Sequence, residues 1–201
     1  LTDTISYSNL VPGREYTATG TLVEKLTGNA VLDGNDEPVT AQTAFTPESA
    51  DGTVEVTFVF NSNLCGGKAI VAFETVESGY GVVARHEDLD DENQTVYIPA
   101  IGTSLVNKDN EKEIYARGTV TLVDTVEYRM IKAGERYVIT GTLMDKESGE
   151  PLLDTEGNPI TVSRTLKAPY SEGTVEITFK FNADELAGVT LVAFEQLTCK
   201  G

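Results

Sequence analysis

His86 is the only histidine in the 201-residue chain, and it stands in suggestive company. It lies eight residues before Gln94, across the acidic run DLDDEN at 88–93. The apolar stretch that precedes it, AIVAFE, ends in Glu74, a carboxylate that the pattern places beside the core. A histidine near carboxylates can serve as a general base near neutral pH. A solitary histidine in a strand or loop is more often structural or simply exposed, so its neighbours carry the argument. One histidine excludes a multi-histidine metal site. Cys65 and Cys199 form no CxxC or Cys/His cluster, so no metal and no cofactor are expected. DLDDEN could hold a cation, but a solvated acidic loop is the better reading. LDGNDEP and LDTEGNP lack the twelve-residue calcium-loop pattern and read as acidic turns.

The elements that must position these groups occur twice. DTISY at 3–7 returns as DTVEY at 124–128, and TGTL at 19–22 returns at 140–143. GTVEVTF at 52–58 returns as GTVEITF at 173–179, and VAFE at 71–74 returns at 192–195. All four pairs share an offset of 121, and 28 of the 72 ungapped positions 3–74 are identical to 124–195. Unrelated sequences would agree at roughly one position in fifteen. The chain is therefore a tandem duplication.

TVEVTFVF and TVEITFKF alternate apolar and polar residues and are rich in Val, Thr and Phe, the pattern of half-buried strands. Gly, Asn, Asp and Pro clusters such as VPGRE, PESADG and DTEGNP supply the turns. Only NSNLCGG and NADELAG could hold a helical turn. The reading is all-β: tandem immunoglobulin-like β-sandwich domains. Residues 1–102 are assigned to the first domain, 103–113 (TSLVNKDNEKE) to a linker, and 114–201 to the second repeat. After VAFE the first copy adds SGYGVVARHEDLDDENQTVYIPAIG, enough for two more strands, while the second has only QLTCKG. The second copy thus lacks its last strands, and the first lacks residues like the TVTLV that precede DTVEY. Both ends read as trimmed relative to the repeat unit.

DTISY, the LD turn at 32–33, GTVEVTFVF, VAFE and ARHEDLDDENQTVYIPAIGT occur in the order found in a known family. The chain resembles the VaFE-repeat, intramolecular ester-bond domains of Gram-positive surface adhesins, a β-clasp type of immunoglobulin-like fold. In that family a first-strand threonine forms an ester with a last-strand glutamine, ammonia is released, and a histidine and acidic residues promote the step. The resemblance implies Thr4 and Gln94 as the cross-linked pair, with His86, Glu74 and Asp33 as the catalytic groups. In copy 2 it implies Thr125, Asp154 and Glu195, with no histidine or glutamine partner in the chain. The chemistry is coherent: a threonine hydroxyl is a weak nucleophile that needs a base within hydrogen-bond reach. His86 would take its proton, with Asp33 or Glu74 orienting the ring. A carboxylic acid kept protonated by burial would donate to the developing oxyanion. Glu74, in the more apolar context, is the preferred acid and Asp33 the preferred orienter, with the reverse assignment open. Alternation puts Thr4 on the face opposite Ile5, and the sequence does not show that face to be buried.

Lys and Arg number 15 against 32 acidic residues, a net charge of −17. That field repels phosphate, so neither nucleic acid nor an anionic membrane is an expected partner. No run of about 18 apolar residues is present, so no helix is expected to span a bilayer. LTDTISY has neither a basic n-region nor an apolar h-region, so no signal peptide is expected there. The resemblance implies the stalk of an extracellular, cell-wall-anchored adhesin. Its partners would be neighbouring repeats and, for copy 2, a complementing strand from elsewhere. Its chemistry would be one self-modifying event without enzymatic turnover. The alternative is an adhesin domain that binds a host protein or glycan, which the absence of Trp and the short acidic turns disfavour. A hydrolase is poorer still, because no nucleophile elbow is present.

Overall fold

The computed structural model describes residues 1–200, and they fall into two compact units that divide between Ile98 and Pro99. Unit 1 contains β1 (Thr2–Tyr7), β2 (Tyr16–Glu24), β3 (Thr40–Phe45), β4 (Gly52–Thr57), β5 (Ala69–Ser78), β6 (Gly81–His86) and β7 (Thr95–Tyr97). One turn of 3-10 helix, Ser62–Cys65, precedes β5. Unit 2 contains β8 (Ala100–Asn107), β9 (Thr119–Arg129), β10 (Arg136–Asp145), β11 (Thr161–Lys167), β12 (Gly173–Asn182) and β13 (Leu191–Cys199). The all-β expectation holds, and every strand pairing is antiparallel.

Alternation builds each core. In β4 and the residue after it, Val54, Val56 and Phe58 are buried, while Thr53, Glu55 and Thr57 face solvent. Val175, Ile177, Phe179 and Phe181 repeat this in β12. In unit 1 the β1–β4 pair packs against the sheet ordered β3-β2-β5-β6, with β7 also on β5. In unit 2 the sheet β12-β9-β8 packs against β11-β10-β13. Gly20 and Gly141 permit close packing between the sheets. A Cβ on Gly20 would lie 2.4 Å from Phe58 Cζ, and one on Gly141 would lie 2.4 Å from Ile177 Cδ1. Gly20 pairs directly with Glu74, and Gly141 with Glu195, so these glycines sit opposite the two VAFE carboxylates.

The first half of the segment expected to be a linker is strand. Residues 103–107 belong to β8, which pairs with β9 from Ala100↔Arg129 to Asn107↔Leu122. The expected boundaries, 1–102 and 114–201, are replaced by a division after residue 98. TSLVN carries too few apolar residues to show a period of its own, and its strand character comes from the partner it pairs with.

The repeat now aligns element by element: β1 with β9, β2 with β10, β3 with β11, β4 with β12 and β5 with β13. Among the described residues, nothing in unit 1 stands where β8 stands in unit 2. Likewise nothing in unit 2 stands where β6 and β7 stand in unit 1.

Candidate functional site

β5 and β6 bring Glu74 and His86 directly opposite each other in the antiparallel register. Glu74 is 3 % exposed although it is charged when ionised. His86 Nδ1 lies 3.1 Å from Glu74 Oε2, and His86 Nε2 lies 3.3 Å from Asp91 Oδ2. The ring is thus held between two carboxylates with its edge still open, the side chain being 47 % exposed. Burial, reinforced by Asp3 and Asp91, pushes the Glu74 carboxyl up to about 8. Glu74 therefore keeps its proton at neutral pH.

Gln94 follows the loop that carries Asp91. Its amide nitrogen donates to Glu74 Oε1 at 3.2 Å and to Asp3 Oδ1 at 3.0 Å, the orientation that the surrounding acceptors demand. Its backbone is fixed as well: the Gln94 N–H donates to the Asp91 carbonyl and the Gln94 carbonyl accepts from Ala72 N–H. Asp3 Oδ2 is buried without a hydrogen-bond partner among the described residues. Beside this cluster runs a groove of about 210 Å³, lined in part by Ile5, Tyr7, Glu74, Ala84 and His86.

Of the residues expected to act together, the structure unites His86, Glu74 and Gln94. Thr4 does not join them. It is exposed on β1 and pairs in register with Glu55 of β4, because successive strand residues face opposite ways and Asp3 takes the inward position. Asp33 does not join them either. Its Oδ1 accepts from the N–H groups of Asn35 and Glu37, and these bonds hold its carboxyl below the usual range. It is the anchor of its own turn. Asp91, from the run read as a solvated acidic loop, occupies the place beside His86 that Asp33 was expected to fill.

Unit 2 repeats half of this arrangement. Asp124, the counterpart of Asp3, is 0 % exposed, and neither of its carboxylate oxygens has a hydrogen-bond partner in ordinary geometry among the described residues. Glu195 faces it. Burial, with Asp124 close by, pushes the Glu195 carboxyl up to about 7, and the Thr103 hydroxyl on β8 pulls the other way by hydrogen bonding. Burial also raises Asp124. Thr125 turns outward opposite Glu176, and Asp154 caps its turn through the N–H groups of Glu156 and Asn158, as Asp33 does. Of the three residues expected in copy 2, only Glu195 belongs to the cluster.

A threonine hydroxyl beside paired carboxylates in one unit, and a glutamine amide beside the equivalent pair in the other, are the two reactants of an ester condensation. Residues 1–98 and 99–200 each match the T-Q ester bond containing domain. The chain belongs to the T-Q ester bond domain family. Two solved structures are also similar, both of a bacterial adhesin from Mobiluncus mulieris containing intramolecular disulfide, isopeptide and ester bond cross-links. They are 15 % and 16 % identical, cover 87 % and 97 % of this chain and 67 % and 71 % of that one, and have TM-scores of 0.39 and 0.38. No curated protein matches the chain.

In these two T-Q ester bond domains the sequence reading missed Asp3, Asp91, Thr103 and Asp124. The DT motif repeats at 3–4 and 124–125, and in the folded sheets its aspartate, not its threonine, faces inward. The IGTS at 101–104 gave a weaker signal, because no second copy of that strand lies within the chain to align with it.

Proposed function

We propose that this chain is a pair of self-cross-linking structural modules from the shaft of a bacterial surface adhesin, each unit carrying a different half of the ester-forming site. The observation that carries the reading is the Gln94 amide, held between Asp3 and a Glu74 that retains its proton near neutral pH. Unit 1 supplies the acyl donor. The hydroxyl would enter as Thr103 does in unit 2, on a strand beside the Asp3-type strand and next to the VAFE carboxylate.

Threonine Oγ1 attacks the side-chain carbonyl carbon of Gln94, and the hydroxyl proton passes to the Asp3 carboxylate. The carbon–nitrogen bond breaks as Glu74 gives its proton to the nitrogen, ammonia leaves, and the proton taken by Asp3 restores Glu74. His86, held by both Glu74 and Asp91, steadies the proton on Glu74 and does not itself touch the hydroxyl. Shielding the ester from water lets it persist.

The cross-link would join the first and last strands of a domain. Closing a loop of ~100 residues contributes on the order of 4–5 kcal/mol. It also blocks extension under force and proteolysis that needs unfolding. These gains suit an extracellular stalk of repeated domains anchored to a Gram-positive cell wall. The event happens once per domain and involves no turnover.

The test is intact mass of a full chain that carries a second copy of residues 99–121 ahead of Leu1. Position 121 is followed by Leu122, the repeat counterpart of Leu1, so the register is kept. A loss of about 17 Da, the ammonia released on acyl transfer, is expected. The loss should vanish with Gln94→Ala, or when the inserted threonine is alanine. An unchanged mass in the folded, matured protein would overturn the reading.

A further inference from the structure

We propose that Lys25 is a positioning residue for the ester reaction: it clamps the loop that delivers Gln94 and Asp91 to Glu74 and His86. This rests on the ester reading above. Lys25 lies one residue beyond β2, with its backbone N–H on the Ala69 carbonyl at the start of β5. Its side chain reaches the loop that leads into β7. Lys25 Nζ donates to Glu92 Oε1 at 2.6 Å and to Thr95 Oγ1 at 3.2 Å. Tyr97 donates its hydroxyl to the second Glu92 oxygen at 2.8 Å. Thr95 Oγ1 in turn donates to the Asp91 carbonyl at 2.7 Å, the same carbonyl that receives the Gln94 N–H. Lys25 is thus connected through Thr95 to the Asp91 carbonyl that fixes the Gln94 backbone. The hydrogen bond from Lys25 also holds the Glu92 carboxyl below its usual range.

The repeat supplies an internal control. Lys146 is the counterpart of Lys25, and its backbone N–H makes the same bond, to the Thr190 carbonyl. Among the described residues its side chain makes no ion pair, and none of those in unit 2 corresponds to residues 87–97. The backbone bond is thus common to both units.

An exposed ion pair adds little to global stability. Positioning is more sensitive, because a displacement of about 1 Å at a reacting group can cost 10²-fold in rate. The clamp therefore predicts a slower reaction in a protein of unchanged stability.

The experiment follows ester formation by the 17 Da loss in the full chain extended with residues 99–121, refolded from denaturant. Lys25→Met should slow the loss at least about tenfold without moving the unfolding midpoint, and Lys25→Arg should restore most of the rate. Glu92→Gln should slow it similarly, and the double variant should be no slower than either single one. In the unextended chain, the Gln94 N–H should exchange faster in Lys25→Met. A parental rate in Lys25→Met, or additive single effects, would overturn the clamp while leaving the ester reading intact. If the extended parent loses no mass, the ester reading fails, and Gln94 exchange then decides the clamp by itself: unchanged exchange overturns it.

Discussion

Glu74 and His86 face each other across the β5–β6 ladder, and their side chains meet at 3.1 Å with the carboxylate buried and the imidazole half open. The burial of Glu74 beside Asp3 and Asp91 ties the stability of unit 1 to pH. Glu74 is raised from 4.5 to about 8 in the folded chain, so between those values the folded state binds more protons than the unfolded one. Its contribution is fully present below pH 4.5 and is lost as pH rises through about 8. At one pKa unit per 1.36 kcal/mol the full swing is as much as about 5 kcal/mol. Denaturant unfolding at pH 5 and pH 9 should show this loss in the native chain, and Glu74→Gln should remove most of it. A pH dependence identical in the two proteins would contradict the buried proton.

Asp3 and Asp91 should matter to ester formation where Asp33 does not. In the chain extended with residues 99–121, Asp3→Asn and Asp91→Asn are each expected to slow the 17 Da loss by tenfold or more, within the range of proton-transfer contributions. Asp33→Ala should lower stability slightly, through the two turn hydrogen bonds it removes, and leave the rate within twofold.

Thr4 faces solvent, so Thr4→Ala should leave the condensation of the extended chain unchanged and alter stability by less than about 0.5 kcal/mol. A mass loss abolished by this variant would restore Thr4 as the nucleophile and displace Asp3 from the inward face.

Gly20→Ala and Gly141→Ala should each destabilise their unit by about 1–3 kcal/mol, since the added methyl meets Phe58 in one and Ile177 and Phe179 in the other. Unit-resolved hydrogen exchange would register each loss in its own unit.

The two free thiols should differ in reactivity. Cys65 is buried and burial raises its pKa, whereas Cys199 is exposed. Alkylation of the folded chain at pH 8 should label Cys199 at least tenfold faster, as mass mapping would read out.

Much of this was legible in the chain. The 121-residue offset, the alternation through Val54, Val56 and Phe58, and the turn clusters are properties of local sequence, so the duplication and the all-β class could be read directly. His86 and Glu74 were legible from their neighbours in the chain, and Gln94 from the motif order shared with the ester-bond family. The start of the expected linker proved to be strand because β8 is held by pairing with β9, a contact over twenty residues distant in sequence at its far end.

The sequence by itself determined which residue types were present, their repeat and their alternation along each strand. Only the tertiary structure decided which member of each DT pair faces inward, that Asp91 and not Asp33 meets the imidazole, and that Thr103 shares a site with Asp124 and Glu195. The physical reason is that a strand offers two faces of equal standing until a second sheet covers one. The reactive groups come from strands and loops far apart in the chain, and their convergence depends on registers that no single segment encodes.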